Sequence, residues 1–174
     1  QAFRPEAMDL AIVFEDEHII VVNKPVGMVV HPAAAHWSGT LLNGLLAHHA
    51  GAAALPRAGI VHRLDKDTSG LMVVAKNLTA MTALVRAIAA REVKRVYLAL
   101  AMGAVPWSEM SIEAPVGRDP GSRLRMAVVP SGKPARTDVT RLGVVDSVTA
   151  LRCKLHTGRS EEHTSELQSP LNIS

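Results

Sequence analysis

The densest group of polar and charged side chains in the sequence stands between two apolar runs. These runs are residues 60–61 and 71–75, and the group between them consists of His62, Arg63, Asp65, Lys66, Asp67, Thr68 and Ser69. Reactive side chains tend to occur on loops of this kind, because the scaffold on either side holds them in place. Asp65 could therefore act as a carboxylate nucleophile in glycosidic chemistry, with Arg63 and Lys66 guiding a phosphate backbone towards it.

The same residues allow three other interpretations. In the first, the segment is a surface turn whose aspartates accept backbone hydrogen bonds. In the second, Asp65 accepts a phosphoryl group, since Asp65-x-Asp67 is similar to the motif of haloacid-dehalogenase phosphatases; however, His62 and Arg63 interrupt the strand that this motif requires, and no adjacent pair of aspartates follows. In the third, the loop binds RNA phosphates without reacting. Spacing alone leaves all of these open.

Apolar, β-branched runs around this segment predict the strands that hold it. Residues 11–14 and 19–23 predict a β-hairpin whose turn is the polar stretch 15–18. We expect a short strand over 28–30, ended by the following His-Pro pair, and a further strand over 71–75 directly after the polar segment.

Two segments have the spacing of amphipathic helices. The first covers 41–50 and is preceded by Thr40, which offers a cap. The second covers about 79–90 and is capped near Asn77. Its apolar residues recur at helical spacing and predict a stripe that packs in the core; they are Met81, Leu84, Val85 and Ile88.

The second half of the chain predicts strands. Residues 96–101 form one strand, and short extended runs over 126–129, 137–140 and 148–155 follow, broken by Pro and Gly. Strands outnumber helices, and their order lacks a regular β-α-β alternation. The sequence therefore predicts an α+β fold with a mixed, largely antiparallel β-sheet and flanking helices.

The composition is that of a globular protein with a slight excess of positive charge. The chain has 174 residues, of which 48% are hydrophobic, which suits one domain with a core of its own. A formal net charge of +3 permits a nucleic-acid partner without requiring one. No apolar run approaches the roughly 20 residues that cross a bilayer. We therefore expect a cytoplasmic protein without a membrane partner.

The cysteine and histidine content does not predict a metal site. Cys153 is the only cysteine, so it has no partner for an internal disulfide or a thiolate site, and we expect it in the core. His48 and His49 are adjacent on a predicted helix and face different directions. No cysteine or acidic residue stands at ligand spacing from the histidines, so we expect no bound metal.

Several stretches of the sequence match the motifs of a known enzyme family. The segment from His62 to Gly70 resembles the signature of the RluA-type pseudouridine synthases. Three other stretches are similar to further motifs of that family and of its subgroup acting on large-subunit ribosomal RNA; they are Glu15-Asp16 through Asn23-Lys24-Pro25 to His31-Pro32, Arg91-Glu92-Val93 followed by Lys94 and Tyr97, and Gly132-Lys133-Pro134-Ala135 with Thr137. The resemblance runs from about residue 8 to residue 159.

This resemblance implies an enzyme that isomerises uridine to pseudouridine in RNA without a cofactor. It implies that Asp65 attacks the target uridine and that Tyr97 stacks on the base. Arg63 would enter the space that the flipped nucleotide leaves. Ribosomal RNA is the expected partner, and a monomer is the expected state.

Besides Arg63, four further residues are expected to bind RNA, namely Lys66, Lys24, Arg118 and Arg159. Lys24 belongs to the first motif, and we expect it either to be structural or to contact RNA. Arg118 stands in a Pro/Gly-rich stretch that we expect to be an RNA-facing loop; its other basic residues are Arg123, Arg125 and Lys133.

The sequence departs from the family pattern near its end. The third family motif begins Thr-Gly-Arg and continues with Thr or Ser, His-Gln, an aliphatic residue and Arg, whereas here Thr157-Gly158-Arg159-Ser160 is followed by Glu161-Glu162-His163-Thr164. The second arginine, which would pair with Asp65, is missing. Residues 159–169 resemble the frame translation of a DNA sequencing adaptor. We therefore expect an incomplete, C-terminally truncated catalytic domain over 1–159, a non-native tail over 160–174, and little activity.

Overall fold

The computed structural model describes residues 3–157, which form two compact units that meet in the sequence between Ala90 and Arg91. The boundary between the two units thus falls inside the expected catalytic domain, residues 1–159. Arg159 and the tail over 160–174 lie outside the described residues. No helix within 3–157 is long and apolar enough to cross a membrane.

The first unit is built on a three-stranded antiparallel sheet. Its strands, in the spatial order β1-β2-β3, are β1 (Ile12–Glu15), β2 (Ile19–Lys24) and β3 (Gly70–Ala75). The predicted hairpin is confirmed. The Asp16 carboxylate closes its turn by accepting the N–H groups of His18 at 2.7 Å and Ile19 at 2.8 Å, and these backbone hydrogen bonds lower the pKa of Asp16.

Two helices complete this unit, α1 (Leu41–His48) and α2 (Leu78–Ala89), with 3₁₀ turns over Ala50–Ala54 and Pro56–Gly59. The predicted N-caps are confirmed, because the side chains of Thr40 and Asn77 accept backbone N–H groups of the first turn. The prediction of a core stripe on α2 is wrong. The helix contacts β3, but none of its residues is buried.

The predicted strand over 28–30 is also wrong. The carbonyl oxygens of Val29 and Val30 accept the N–H groups of Leu41 and Leu42 at 2.9 and 3.1 Å. These N–H groups belong to the first turn of α1, where no partner exists within the helix. The segment therefore caps the helix with the carbonyl groups that a strand would use for a ladder.

The second unit is a five-stranded antiparallel sheet in the order β4-β8-β7-β5-β6. Its strands are β4 (Arg95–Met102), β5 (Glu109–Asp119), β6 (Ser122–Val128), β7 (Lys133–Val145) and β8 (Val148–Thr157). The sequence predicted shorter runs, broken by Pro and Gly. Register shifts in the β7–β8 pair, after Arg136 and after Arg141, keep the long strands paired instead.

One face of this sheet carries the core of the second unit. Ala101, Val139, Leu151 and Cys153 are buried there, and Tyr97 is half-buried against them. The prediction that Cys153 is a core residue is confirmed. The described residues combine two antiparallel sheets with a few helices, which belong to the first unit, and this confirms the predicted fold class.

Gly59 provides a test of how tightly the chain before the polar segment fits against β3. Its φ of +85° is left-handed, and a Cβ atom would lie 1.9 Å from the carbonyl oxygen of Ala75. We expect Gly59→Ala to lower the free energy of unfolding by at least about 2 kcal/mol, since backbone strain and steric overlap add. Urea denaturation followed by circular dichroism measures this change.

Gly39→Ala is the matched control for this substitution. Gly39 has a φ of +68°, but nothing lies within 4 Å of its added Cβ atom. This variant should lose only the backbone contribution, about 1 kcal/mol. Equal losses in the two variants would contradict the close approach of Gly59 to Ala75.

Candidate active site

The polar segment leads from a single β-bridge into β3. Ile60 pairs with Val74 in an antiparallel bridge, and the chain turns through residues 61–69 before β3 begins at Gly70. Both ends of the loop are therefore attached to the same strand. Leu64 is buried with 5% exposure and anchors the middle of the loop. Asp65 follows it directly and is half-buried.

His62 fixes the first part of this loop to β3. Its Nε2 accepts the backbone N–H of Val73 at 3.0 Å. A ring nitrogen that accepts a hydrogen bond carries no proton, so the imidazole is neutral, with its proton on Nδ1. This contact gives His62 a structural role.

The side chain of Lys24 binds the second part of the loop through a hydrogen bond to its backbone. It occupies the inward-facing position of β2 that follows Ile20 and Val22 in the two-residue period, and it is fully buried. Its Nζ donates to the carbonyl oxygens of Pro25 at 3.1 Å, Met28 at 2.8 Å and Lys66 at 3.2 Å. Three acceptors match the three protons of an ammonium group.

These contacts connect the turn after β2 with the loop that carries Asp65. The carbonyl oxygen of Lys66 also accepts the N–H of Gly27 at 2.7 Å, and that of Asp65 accepts the N–H of Thr68 at 3.1 Å. Of the two roles expected for Lys24, its complete burial supports the structural one.

The buried ammonium lies close to two carboxylates. Burial lowers the pKa of Lys24 below its ordinary value, and the negative charges of Asp65 and Asp67 act in the opposite direction. Both aspartates are therefore near enough to interact with it. The site thus brings a cation near the carboxylate that the sequence analysis singled out.

Basic side chains on both sides of Asp65 in the loop are exposed to solvent. Arg63 and Lys66 are exposed, and Arg63 is close enough to His31 to act on its ionisation. Burial lowers the pKa of His31, and the positive charges of Arg63 and Arg57 lower it further. The sequence analysis did not single out Arg57. It is a single basic residue among the small residues that precede the polar segment.

The other expected site residues belong to the second unit or lie outside the described residues. Tyr97 is on β4, opposite Cys153 of β8. The prediction that the stretch around Arg118 forms a loop is wrong. Arg118 pairs with Met126 in the β5–β6 ladder, and Lys133 begins β7. The prolines and glycines of this stretch lie in the two turns that join these strands, Pro120 and Gly121 between β5 and β6, and Pro130 and Gly132 between β6 and β7. Arg159 is outside the described range.

Within residues 3–157, no three His, Cys, Asp or Glu side chains lie close enough together to hold a metal ion. His48 instead lies 2.9 Å from Oε2 of Glu15, and Lys76 pairs with Oε1 of the same carboxylate at 2.9 Å. These two partners lower the pKa of Glu15, Lys76 more than His48.

Lys24→Met tests the role of the buried ammonium. We expect the free energy of unfolding to fall by about 2–4 kcal/mol, because the carbonyls of Pro25 and Met28 lose their donor, and a carbonyl without a partner costs roughly 1–3 kcal/mol. We also expect faster hydrogen exchange at the amides of Gly27 and Thr68. Lys94→Met, at an exposed lysine, is the control and should change neither quantity. Unchanged exchange at both amides in Lys24→Met would contradict the proposed support of the loop.

Comparison with known proteins places this geometry in a family. The model of the RNA pseudouridylate synthase family matches residues 18–162. The ribosomal large subunit pseudouridine synthase D of Neisseria meningitidis serogroup B is 56% identical over an alignment of 174 positions, which covers 98% of this chain and 46% of that protein. The protein of the same name from Escherichia coli O6:H1 is 46% identical and covers 97% of this chain and 52% of its own length. The chain thus spans about half the length of these relatives.

Solved structures agree with this assignment. Human RNA pseudouridylate synthase domain containing 1 is similar with a TM-score of 0.72 and 28% identity, over 92% of this chain and 64% of its own. Since the family match covers most of the chain and the fold is shared, the chain belongs to the RNA pseudouridylate synthase family, among its RluA-type members.

Proposed function

We propose that this chain isomerises uridine to pseudouridine in RNA, with Asp65 as the residue that attacks the target nucleotide. The observation that carries the proposal is the attachment of the Asp65 loop. Buried Leu64 holds it on one side of Asp65, and the bond from Lys24 to the Lys66 carbonyl holds it on the other. A reacting carboxylate needs such support, because small displacements of a catalytic group reduce the rate strongly.

The reaction requires a group that acts on a sugar and then leaves. The N1–C1′ bond of uridine breaks, the uracil turns, and a C5–C1′ bond forms; C5 loses a proton and N1 gains one. A carboxylate can attack the sugar, or remove a proton from it, and be released afterwards. This chemistry balances without a redox step or a second substrate.

The substrate class is proposed from the relatives. The proteins from Neisseria meningitidis and Escherichia coli carry the name ribosomal large subunit pseudouridine synthase D. We infer large-subunit ribosomal RNA as the substrate, met in the cytoplasm by a monomer. The net charge of +3 is compatible with an RNA partner.

Other side chains have supporting roles in this proposal. Tyr97 stacks on the uracil, and Arg63 enters the space vacated by the flipped nucleotide. Lys66, Arg118 and Arg159 contact the phosphates around it. The exposure of Arg63 and Lys66 beside Asp65 supports their part of this assignment.

Asp65→Asn tests the nucleophile. With the chain in excess over transcribed large-subunit ribosomal RNA, chemical mapping of pseudouridine should show product with the wild-type sequence and none with this variant. RNA affinity should stay within about threefold, because phosphate contacts dominate binding.

Asp67→Asn is the matched control, since Asp67 is an exposed aspartate two residues away that also interacts with Lys24. It should keep the wild-type rate. Product formed by Asp65→Asn would show that the nucleophile is another group. RNA binding without product in the wild-type chain would favour a non-catalytic RNA-binding protein.

We further propose that this chain is a slow enzyme. Its residues 160–164 replace the family's third motif, and with it the second arginine that would face Asp65. Loss of one preorganised electrostatic partner costs on the order of 100-fold or more in rate. A tritium-release assay against the Neisseria meningitidis relative, at equal concentrations, should show this difference. Equal turnover by the two proteins would refute it.

A further inference from the structure

The strand that carries Tyr97 also carries a guanidinium group for which residues 3–157 provide no partner. Arg95 lies two residues before Tyr97 on β4, and the two-residue period of the strand puts both side chains on the inward face. We propose that Arg95 binds a phosphate of the RNA backbone beside the uridine whose base stacks on Tyr97. This inference rests on the proposed function, because it takes RNA as the ligand. It adds a substrate-binding residue to which the family resemblance assigned no role.

The first argument is a buried nitrogen atom without an acceptor. Arg95 is half-buried, and its Nη1 is shielded from solvent and makes no hydrogen bond. Within the described range, no residue forms a hydrogen bond or an ion pair with any other part of this side chain. A charged nitrogen withdrawn from water without a partner destabilises the folded chain. In folded proteins such groups often belong to functional sites or are completed by a bound ion.

The second argument is the lack of a counter-charge on the same face of the sheet. Residues that pair directly across antiparallel strands share a face. The row that begins at Arg95 continues, strand by strand, through Leu155, Thr137 and Ile112. The carboxylates of Asp138 and Glu113 stand one position further along β7 and β5, and therefore on the opposite face. An anion that neutralises Arg95 must thus come from outside these strands.

The third argument is the spacing of Arg95 and Tyr97, which suits one nucleotide. Two steps along a strand separate their Cα atoms by about 6.6 Å. A single ribose joins the base of a nucleotide to its phosphates, so a base on the Tyr97 ring has a phosphate within reach of a long side chain two residues away. Proteins that bind single-stranded RNA combine these two features, an aromatic surface for the base and a cation for the backbone.

The backbone that carries both side chains is fixed. β4 pairs with β8 without a register shift from Arg95, opposite Leu155, to Met102, opposite Val148. Tyr97 also packs against the buried core of the second unit. Groups held in this way lose less entropy when they bind a ligand than mobile groups do.

The ligand that fits Arg95 is a phosphate within an RNA chain. The planar guanidinium group presents parallel donors that match two phosphate oxygens, and its permanent charge matches their negative charge. Free phosphate offers the same chemistry, but only the phosphate of a nucleotide arrives together with a base for Tyr97. The contact should therefore contribute to the affinity for RNA and to its dependence on salt.

Arg95→Met tests the contact with two measurements on the full chain. Its melting temperature should equal or exceed that of the wild type, because an uncompensated cation is replaced by an apolar side chain. Its binding to labelled oligouridylate should nevertheless weaken about eightfold at about 50 mM salt, and the slope of log affinity against log salt should fall by about 0.7, since one phosphate contact is lost. A lower melting temperature with a wild-type slope would show that Arg95 is only structural.

Arg152→Met is the matched control. Arg152 is an exposed arginine of β8 that pairs with Leu98, so it lies on the outward face of the same sheet. This variant should keep the wild-type affinity and slope. Arg95→Lys retains the charge but not the planar fork, so it should keep the slope and bind with an affinity between those of the wild type and Arg95→Met. A slope in Arg95→Lys as low as that in Arg95→Met would contradict a charge contact.

Two further ligands identify what Arg95 contacts. A methylphosphonate uridine oligomer has an uncharged backbone, and its weak binding should be the same for the wild type and Arg95→Met. Weaker binding of this oligomer to Arg95→Met would indicate a contact to the base or the ribose and overturn the phosphate contact. Inorganic phosphate should not displace the labelled oligouridylate at equal phosphate concentration. Full displacement would indicate a site for the free ion.

The outcomes distinguish this inference from the proposed function. A wild-type salt slope in Arg95→Met, with pseudouridine formation intact, overturns the role of Arg95 and leaves the function standing. A reduced slope in Arg95→Met, in a chain that forms no pseudouridine, supports the phosphate contact and overturns the activity. A chain that binds no RNA overturns both. An equal loss in Arg95→Met and Arg152→Met would mean general electrostatic attraction, and it overturns the specific contact.

Discussion

An ammonium group enclosed by backbone carbonyls holds together the part of the molecule on which the candidate chemistry depends. Moving a charged amine out of water is costly, and it becomes tolerable only when every proton finds an acceptor. Lys24 meets this condition with the carbonyl oxygens of Pro25, Met28 and Lys66. Two of these acceptors follow β2 and the third follows Asp65, so the loop and the sheet are joined at one buried atom.

β3 is the second element that holds the Asp65 loop in place. Ile60 bridges to Val74, and His62 accepts the N–H of Val73, so the chain before Asp65 is attached along this strand. The same strand limits the approach of Gly59, so the chain that leads into the loop also depends on it. The position of the carboxylate proposed to attack the sugar thus depends on the packing of one short strand.

The second unit positions its candidate residue differently. Tyr97 has no dedicated loop; it takes its place from the two-residue period of β4, where Arg95, Tyr97, Ala99 and Ala101 face inward. The outward residues of that strand, from Val96 to Met102, are 54–77% exposed. The pairing of β4 with β8 therefore determines on which face of the sheet the Tyr97 side chain lies.

The sequence by itself determined the chemistry-bearing segment, the family resemblance, the hairpin around Asp16 and the caps Thr40 and Asn77, because these depend on residue types at short spacing. Tertiary structure decided where more distant groups meet. Lys24 reads as a basic residue before a proline, but its inward position on β2 buries it against Lys66, 42 residues away in sequence. Likewise, residues 28–30 look like a strand, yet the open end of α1 uses their carbonyls, because a helix's first N–H groups must find partners outside it.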